Sequence, residues 1–102
     1  MRTEDTLIAT LVEDGWLTLE EAAALTAVEP AWLQRHIDEG LFPHARNTEG
    51  RWQISSVGVL RARRMRSVER DFDAVPELAA LMADLLEEMD SLRRRLRSAG
   101  LE

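Results

Sequence analysis

Histidine and cysteine, the side chains most often used for metal binding and for acid–base chemistry near neutral pH, are scarce in this sequence. There are two histidines, His36 and His44, and no cysteine, so disulfides and thiolate metal sites are excluded and few ligands remain for zinc. No carboxylate pair, serine-centred triad or glycine-rich phosphate loop stands out. We therefore expect a binding protein and not an enzyme, with no metal and no cofactor, and with both histidines facing solvent or capping helices.

Acidic side chains are concentrated in the first half of the chain. Residues 1–56 contain ten acids and four arginines, a net charge of −6, whereas residues 57–102 contain nine of each sign. A nucleic-acid-binding surface has to bring cations to the phosphates. The charge distribution therefore argues against DNA binding by the amino-terminal part.

A helix-turn-helix is predicted within this acidic part. Thr18 followed three residues later by Glu21 forms a capping box, which predicts a first helix over Leu19–Thr26. After a three-residue turn, Pro30 suits the first position of a second helix, and Gly40 suits the left-handed residue that ends it, so this helix should span 30–39.

A short wing is predicted after the second helix. The polar run from His44 to Gly50 should turn, and Arg51-Trp52-Gln53-Ile54 alternates as a strand does. The tryptophans Trp16, Trp32 and Trp52 should serve mainly in core or wing packing.

The first fifteen residues are ambiguous between strand and helix. Leu7, Ala9 and Leu11 alternate with other residues, and Glu13-Asp14-Gly15 has the composition of a turn before Trp16-Leu17. We favour a strand or hairpin beside the first helix over the alternative, a short helix.

Two longer helices are predicted after the wing. Ser55 or Ser56 can cap a third helix that ends near Phe72, with Leu60, Met65, Val68 and Phe72 toward the core. Its arginines, from Arg61 to Arg70, should mainly form ion pairs within the chain. Pro76 begins a fourth helix that reaches about Ser98.

The fourth helix has an apolar stripe with alternating spacings of four and three residues, which is typical of a coiled coil. Its acids precede its arginines, so antiparallel helices would pair opposite charges, and we favour a homodimer of this kind. The alternative is a hairpin in which the stripe packs on Met65, Val68 and Phe72 of the same chain. The expected dimerisation residues are Leu78, Met82, Leu85, Met89, Leu92 and Leu96.

Length and composition favour one modest core. With 102 residues and 45% hydrophobic residues, we expect a winged helix-turn-helix part over 1–56, including the amino-terminal strand or hairpin, and a helical extension over 57–102 in the same structural unit. No segment reaches the roughly 18 apolar residues that a membrane helix needs, and the amino terminus is acidic where a signal peptide is basic. A cytoplasmic location without membrane association is expected.

Together these segments resemble a family, the MerR-like chaperone modulators of the CbpM type. The resemblance covers LTLEEAAALTAVEPAWLQRHIDEGLF, RWQI, RARRMRSVERDF and LMADLLEEMDSLRRRL. It implies a mostly α fold, a MerR-like winged helix-turn-helix with two further C-terminal helices, the last a heptad-bearing dimerisation helix. It also implies a protein that binds the J domain of a DnaJ-like co-chaperone of the CbpA type and inhibits it.

The alternative function is that of a DNA-binding transcriptional regulator of the MerR superfamily. Such regulators usually carry an arginine and paired tyrosines in the second helix and a Gly-Tyr-Arg wing, where this chain has Gln34-Arg35-His36-Ile37 and Gly50-Arg51-Trp52. These departures argue against DNA binding, whereas the chaperone interpretation is unaffected by them. Because the resemblance implies a basic helix on the J domain, the residues expected to bind it are Glu20, Glu21, Glu29, Trp32, Asp38 and Glu39.

Overall fold

The computed structural model describes residues 3–100, and residues 1–2 and 101–102 lie outside the described part. The described chain is mostly helical with one small sheet. In order, its elements are α1 (Thr3–Asp14), β1 (Trp16–Thr18), α2 (Leu19–Thr26), α3 (Pro30–Asp38), β2 (Ala45–Thr48), β3 (Arg51–Ser55), α4 (Ser56–Phe72) and α5 (Pro76–Ser98).

The amino-terminal segment is a helix, so the preferred strand over Leu7–Leu11 is wrong and the alternative helix is correct. Leu7 is buried and Leu11 partly buried, because residues four apart lie on the same face of a helix. The predicted strand character is confined to β1, which follows Gly15 directly; this glycine has a φ of 77°, a conformation that side chains disfavour.

The helix-turn-helix formed by α2 and α3 follows local sequence signals. The Thr18 hydroxyl accepts from the Glu21 amide at 3.1 Å, and the Glu21 carboxylate accepts from the Thr18 amide at 2.9 Å, as the capping box predicts. Pro30 occupies the first turn of α3. Gly40, with a φ of 77°, follows the end of α3, so both predicted helices are confirmed to within one residue.

The wing contains one strand more than the sequence indicated. The sheet order is β1-β3-β2 with both pairs antiparallel, and β2 occupies part of the run that was expected only to turn. The sequence shows no alternation of apolar and polar residues over this strand, because the residues of β2 are mostly polar and largely exposed on both faces. The turn itself is Glu49-Gly50, both with positive φ, which suits a tight hairpin.

One core joins the winged part to α4. Leu17, Leu33, Ile54 and Met65 are its largest fully buried apolar side chains. Gly58 permits the close approach of α4 to the sheet, since a Cβ there would lie 2.7 Å from Ile54 Cγ2.

The prediction of which residues of α4 face the core is only partly correct. Met65 and Val68 are buried as expected, but Leu60 is exposed and Phe72 is 73% exposed at the end of α4. The periodic pattern predicted the helix correctly, but the buried face of α4 includes Val59, Arg61 and Ala62 in place of Leu60 and Phe72.

The last helix lies along α4 through small residues. Ala79, Ala80 and Ala83 of α5 are buried against it, and the Arg61 side chain, only 2% exposed, crosses between the helices. No helix within residues 3–100 combines the length and the hydropathy needed to cross a bilayer.

Candidate functional site

A cleft of about 340 Å³ lies between the helix-turn-helix and the wing, and we name it the wing cleft. The start of α2 forms one wall, the outer face of α3 the second, and the tip of β3 the third. Its lining residues are Thr18, Leu19, Glu20, Gln34, Gly50, Arg51 and Trp52. The cleft therefore lies on the face that a helix-turn-helix protein normally presents to its ligand.

The acids predicted at the start of α2 differ in availability. Glu21 closes the capping box and is committed to Thr18. Glu20 is exposed and lines the cleft, and its carboxylate makes no hydrogen bond or ion pair with any residue of the described chain. Of this pair, only Glu20 has a free carboxylate.

The acids predicted at the ends of α3 are all exposed. Asp38 accepts a hydrogen bond of 2.8 Å from Gln34 Nε2, and Glu39 is the C-cap residue that follows α3. Glu29 caps the start of α3 through its backbone without a side-chain hydrogen bond. Glu29 thus stands at the opposite end of α3 from Asp38 and Glu39, so the predicted acids do not form one compact cluster.

Trp32 was expected to be an apolar anchor for a partner, and the structure contradicts this. Its ring is buried, stacks on the His36 ring with centroids 3.9 Å apart, and meets Phe42 edge-on. Its Nε1 donates to Glu69 Oε1 at 3.1 Å. The indole belongs to the α3–α4 interface, and its more general assignment to core packing is the correct one.

Contrary to expectation, neither histidine is fully solvent-exposed or acts as a helix cap. His36 is 1% exposed, with Nδ1 2.7 Å from the Trp32 carbonyl oxygen and Nε2 2.7 Å from Glu69 Oε2. His44 is partly buried, with Nε2 3.0 Å from Glu87 Oε1. Both expectations are corrected, because each imidazole joins a segment of the winged part to α4 or α5.

Few cations of the winged part remain free for an anionic ligand. The Arg46 guanidinium lies 3.9 Å from the centroid of the Trp16 ring, and its Nε donates to Gln53 Oε1 at 2.8 Å. The side chains of Arg35 and Arg51 make no ion pair or hydrogen bond within residues 3–100. Two arginine side chains of the described winged part thus remain unengaged.

The arginines of α4 mostly form intramolecular ion pairs, as predicted. Arg61 Nη1 lies 2.8 Å from Asp84 Oδ1 and 2.9 Å from Glu87 Oε2. Arg64 Nη1 lies 2.9 Å from Asp90 Oδ2. The contact with Arg64, helped by the charges of Arg93 and Arg94, holds the pKa of Asp90 below its usual value although partial desolvation acts against it.

The apolar stripe of α5 points away from α4, so the alternative in which this stripe packs on Met65, Val68 and Phe72 of the same chain is wrong. Every one of the six predicted dimerisation residues is exposed, as is Leu81 beside them: Leu78, Met82, Leu85, Met89, Leu92 and Leu96. The buried face of α5 is instead the alanine face. The stripe is therefore an apolar surface that no other part of residues 3–100 covers.

No group of three or more histidine, aspartate or glutamate side chains within residues 3–100 is arranged to hold a metal ion. The wing cleft brings together side chains that can bind, namely a carboxylate, an amide, an indole and a guanidinium. It offers hydrogen bonds, charge and an aromatic surface to a ligand.

The fold and the cleft define a winged helix-turn-helix protein. A family model described as a helix-turn-helix domain matches residues 16–66, which is half of the chain, and the chain belongs to that family. No curated protein and no solved structure is similar enough to this chain to match.

Sequence reasoning found the acids of the site but missed the cleft itself. Gln34 was noted in connection with DNA reading, Gly50 and Arg51 also as parts of the wing, and Trp52 mainly as a packing residue, and none of them was expected to contact the J domain. The available signal was the tryptophan near the start of the predicted wing strand; its place beside the capped start of α2 follows from the pairing of β3 with β1, which leads into that helix.

Proposed function

We propose that this protein acts in the cytoplasm as a modulator of a DnaJ-like co-chaperone, binding its J domain and inhibiting it. The proposal joins the resemblance to CbpM-type modulators with the charge of the ligand-facing surface. An inhibitor of this kind has to cover the basic helix through which a J domain engages its Hsp70 partner. Carboxylates are the complementary groups.

The observation that carries the proposal is the hydrogen bond between Gln34 and Asp38 on the outer face of α3. A helix that reads DNA needs amides and guanidinium groups directed at base edges. Here the amide nitrogen of Gln34 is engaged by a carboxylate, and that carboxylate would also repel phosphates. The same arrangement suits a basic protein surface.

The contact residues are revised accordingly. Glu20, Glu29, Asp38 and Glu39 have exposed side chains that can meet cations of a J domain. Glu21 acts indirectly, since it holds the start of α2. Trp32 is removed from the contact surface because it is buried.

The test is a titration of the J domain of the DnaJ-like protein from the same organism against native protein and an Asp38→Lys, Glu39→Lys variant. The variant should bind at least about tenfold more weakly, because each lost charge pair at an interface rim is worth roughly 0.2–1 kcal/mol and reversal adds repulsion. Lysines at the carboxyl end of α3 suit the helix dipole, so folding should be intact.

The matched control is Glu13→Lys, Asp14→Lys, which makes the same charge change at the end of α1, outside the wing cleft. Added salt should weaken native binding more than binding by the α3 variant, because screening acts on exposed charges. Equal affinity and equal salt dependence of the two variants would show that the acids of α3 do not make the contact.

We further propose that the stripe of α5 joins two copies into a homodimer. Fully burying one leucine or methionine side chain contributes about 1.5–3 kcal/mol, so a row of such residues favours a partner helix over water. Three of the acids of α5, Asp84, Glu87 and Asp90, are paired with α4. The exposed residues Glu88, Arg93 and Arg95 flank the stripe and can set the orientation.

An antiparallel pair satisfies both the stripe and these charges. With Met89 beside Leu92 of the partner subunit, helical spacing places Glu88 beside Arg95 of the partner subunit, and the pair occurs twice by symmetry. A parallel pair would place Glu88 beside Arg93 of the partner subunit instead. The two orientations therefore predict different ion pairs.

A second candidate function, DNA binding as a transcriptional regulator, is favoured by membership of the helix-turn-helix family. A mobility-shift assay with the duplex upstream of its own gene, at physiological salt, separates the candidates. The J-domain proposal predicts no sequence-dependent shift at micromolar protein. Tight, sequence-dependent binding would place the regulator function first.

A further inference from the structure

We propose that the wing cleft binds one cationic side chain, an arginine or a lysine, presented by a protein partner. The identity of that partner rests on the proposed function, whereas the existence of the site rests on the cleft alone. The site would supply the specific anchor that buried Trp32 cannot supply.

The polar walls of the cleft offer acceptors. The Glu20 carboxylate has no partner in the described chain, while its neighbour Glu21 is committed to the capping box. Gln34 donates its Nε2 to Asp38 at 2.8 Å, so its Oε1 is the atom left to accept. A guanidinium or ammonium group donates only and is complementary to both oxygens.

The aromatic wall is Trp52. Successive strand residues face opposite sides of a sheet, so Trp52 lies on the face of β3 that also carries buried Ile54 and is turned toward the helices. An indole attracts a cation over its face more strongly than other aromatic rings do. The same small sheet already holds one such pair, Arg46 on Trp16.

The volume of the cleft limits what it can hold. About 340 Å³ lies at the lower end of small-molecule sites, which span roughly 300–1,000 Å³. One long side chain fits this space, whereas a helix would have to rest on the rim. Asp38, which is hydrogen-bonded to the cleft residue Gln34, would then meet the surroundings of the inserted side chain.

Arg51 also lines the cleft and opposes a cationic guest, although its side chain leaves β3 on the opposite face from that of Trp52. Because Glu20 and Arg51 carry opposite charges, replacing each of them tests the sign of the charge on the guest. If the guest is a cation, Glu20→Gln weakens binding and Arg51→Gln strengthens it. If the guest is an anion, such as a phosphate or a carboxylate, both effects reverse.

The first experiment uses a small probe and the whole protein. N-acetyl-arginine methylamide is titrated into ¹⁵N-labelled protein, and the three indole N–H resonances are followed. The Trp52 resonance should shift with a millimolar dissociation constant while those of Trp16 and Trp32 stay in place. N-acetyl-norleucine methylamide and N-acetyl-glutamate methylamide are the apolar and anionic controls.

Glu20→Gln should weaken the arginine probe about two- to fivefold, as expected for one partly exposed ion pair. Glu13→Gln, the same change at an exposed site on α1, should leave it unchanged. The proposal is overturned if Trp52 does not respond to the arginine probe, if the glutamate probe binds better, or if Arg51→Gln weakens arginine binding.

The second experiment repeats the Glu20→Gln and Glu13→Gln comparison with the J domain. Weaker J-domain binding by Glu20→Gln alone supports the cleft as the anchor site. Binding of the arginine probe without binding of the J domain would overturn the proposed function and leave the cleft proposal intact. Undiminished J-domain binding by Glu20→Gln, with no response to arginine, would overturn the cleft proposal only.

Discussion

Arg61 Nη1 lies 2.9 Å from Glu87 Oε2, and this contact joins the centre of α4 to α5. The arginine is nearly inaccessible and also donates from Nε to the Leu41 carbonyl oxygen at 2.8 Å. It therefore links the segment after α3, helix α4 and helix α5. It helps to hold the alanine face of α5 on α4, and the apolar stripe on the other side of α5 faces outward.

Replacing this arginine should loosen the whole carboxyl-terminal arrangement. Arg61→Met removes the donor to the Leu41 carbonyl and the cation that contacts the Asp84 and Glu87 carboxylates, and we expect a loss of about 2–3 kcal/mol in the free energy of unfolding. Partial exposure of both carboxylates keeps the loss below that of a fully buried pair. Urea unfolding measures it, and a loss no larger than that of Arg66→Met, on the same helix, would contradict this role.

A charge in the stripe should separate the dimer without unfolding the chain. Leu92 is 46% exposed, so Leu92→Glu leaves the monomer core untouched but places a carboxylate in the proposed helix pair, which costs several kcal/mol. Light scattering should report a dimer for native protein and a monomer for the variant. Val12→Glu, at a 79% exposed position on α1, should stay dimeric; a native protein that is monomeric defeats the proposal.

The orientation of that dimer can be read by exchanging charges. Glu88→Arg alone and Arg95→Glu alone should each weaken association, and the double variant should recover it if the helices are antiparallel. Each restored pair contributes roughly 0.2–1 kcal/mol and occurs twice. Sedimentation equilibrium at low salt gives the dissociation constants. Recovery by Glu88→Arg with Arg93→Glu instead would indicate parallel helices.

The close approach at Gly58 should make this glycine hard to replace. An added Cβ would lie 2.7 Å from Ile54 Cγ2, and overpacking of this kind typically costs about 1–3 kcal/mol. Gly58→Ala is therefore expected to lower the denaturation midpoint, although alanine is the better helix former. A variant as stable as native protein would mean that β3 and α4 can separate freely.

The ion pair of Asp90 should give a pH-dependent contribution to stability. Because its pKa is lowered in the folded protein, the folded state is favoured above the unfolded-state pKa, and this contribution is lost as the pH falls through the folded-state value. Asp90→Asn should therefore lower the thermal midpoint at pH 7, and the difference from native protein should vanish well below the reference pKa of 3.8. A difference that persists unchanged in strong acid would assign the effect to packing.

The elements that local chemistry specifies were accessible from the sequence. Thr18 and Glu21 marked the start of α2, Pro30 and Gly40 bounded α3, and Pro76 began α5, because caps and proline act within a few residues. Strand β2 was not accessible, since its polar residues form a strand only when β3 lies alongside. The segment around Leu7 was assigned wrongly, because two leucines four apart also fit an alternating pattern when Ala9 is counted as apolar.

The candidate site divides in the same way. Its acids and the apolar stripe of α5 were readable from residue type and spacing. Which carboxylates are free depended on long-range partners: Glu69 is engaged by Trp32 and His36, Asp84 and Glu87 by Arg61, and Glu20 by none of the described residues. The burial of Trp32 also required α4, since an amphipathic helix does not by itself reveal what covers its apolar face.

By itself the sequence determined a helix-turn-helix with an acidic surface and a long final helix with one apolar stripe. These properties follow from short-range forces, namely capping, backbone preferences and the periodic placement of apolar side chains. Only the tertiary structure decided that the stripe faces outward, that Trp32 and His36 are interior, and that Glu20, Gln34 and Trp52 surround one cleft. Those outcomes depend on which surfaces meet, and residues far apart in the chain compete for the same contacts.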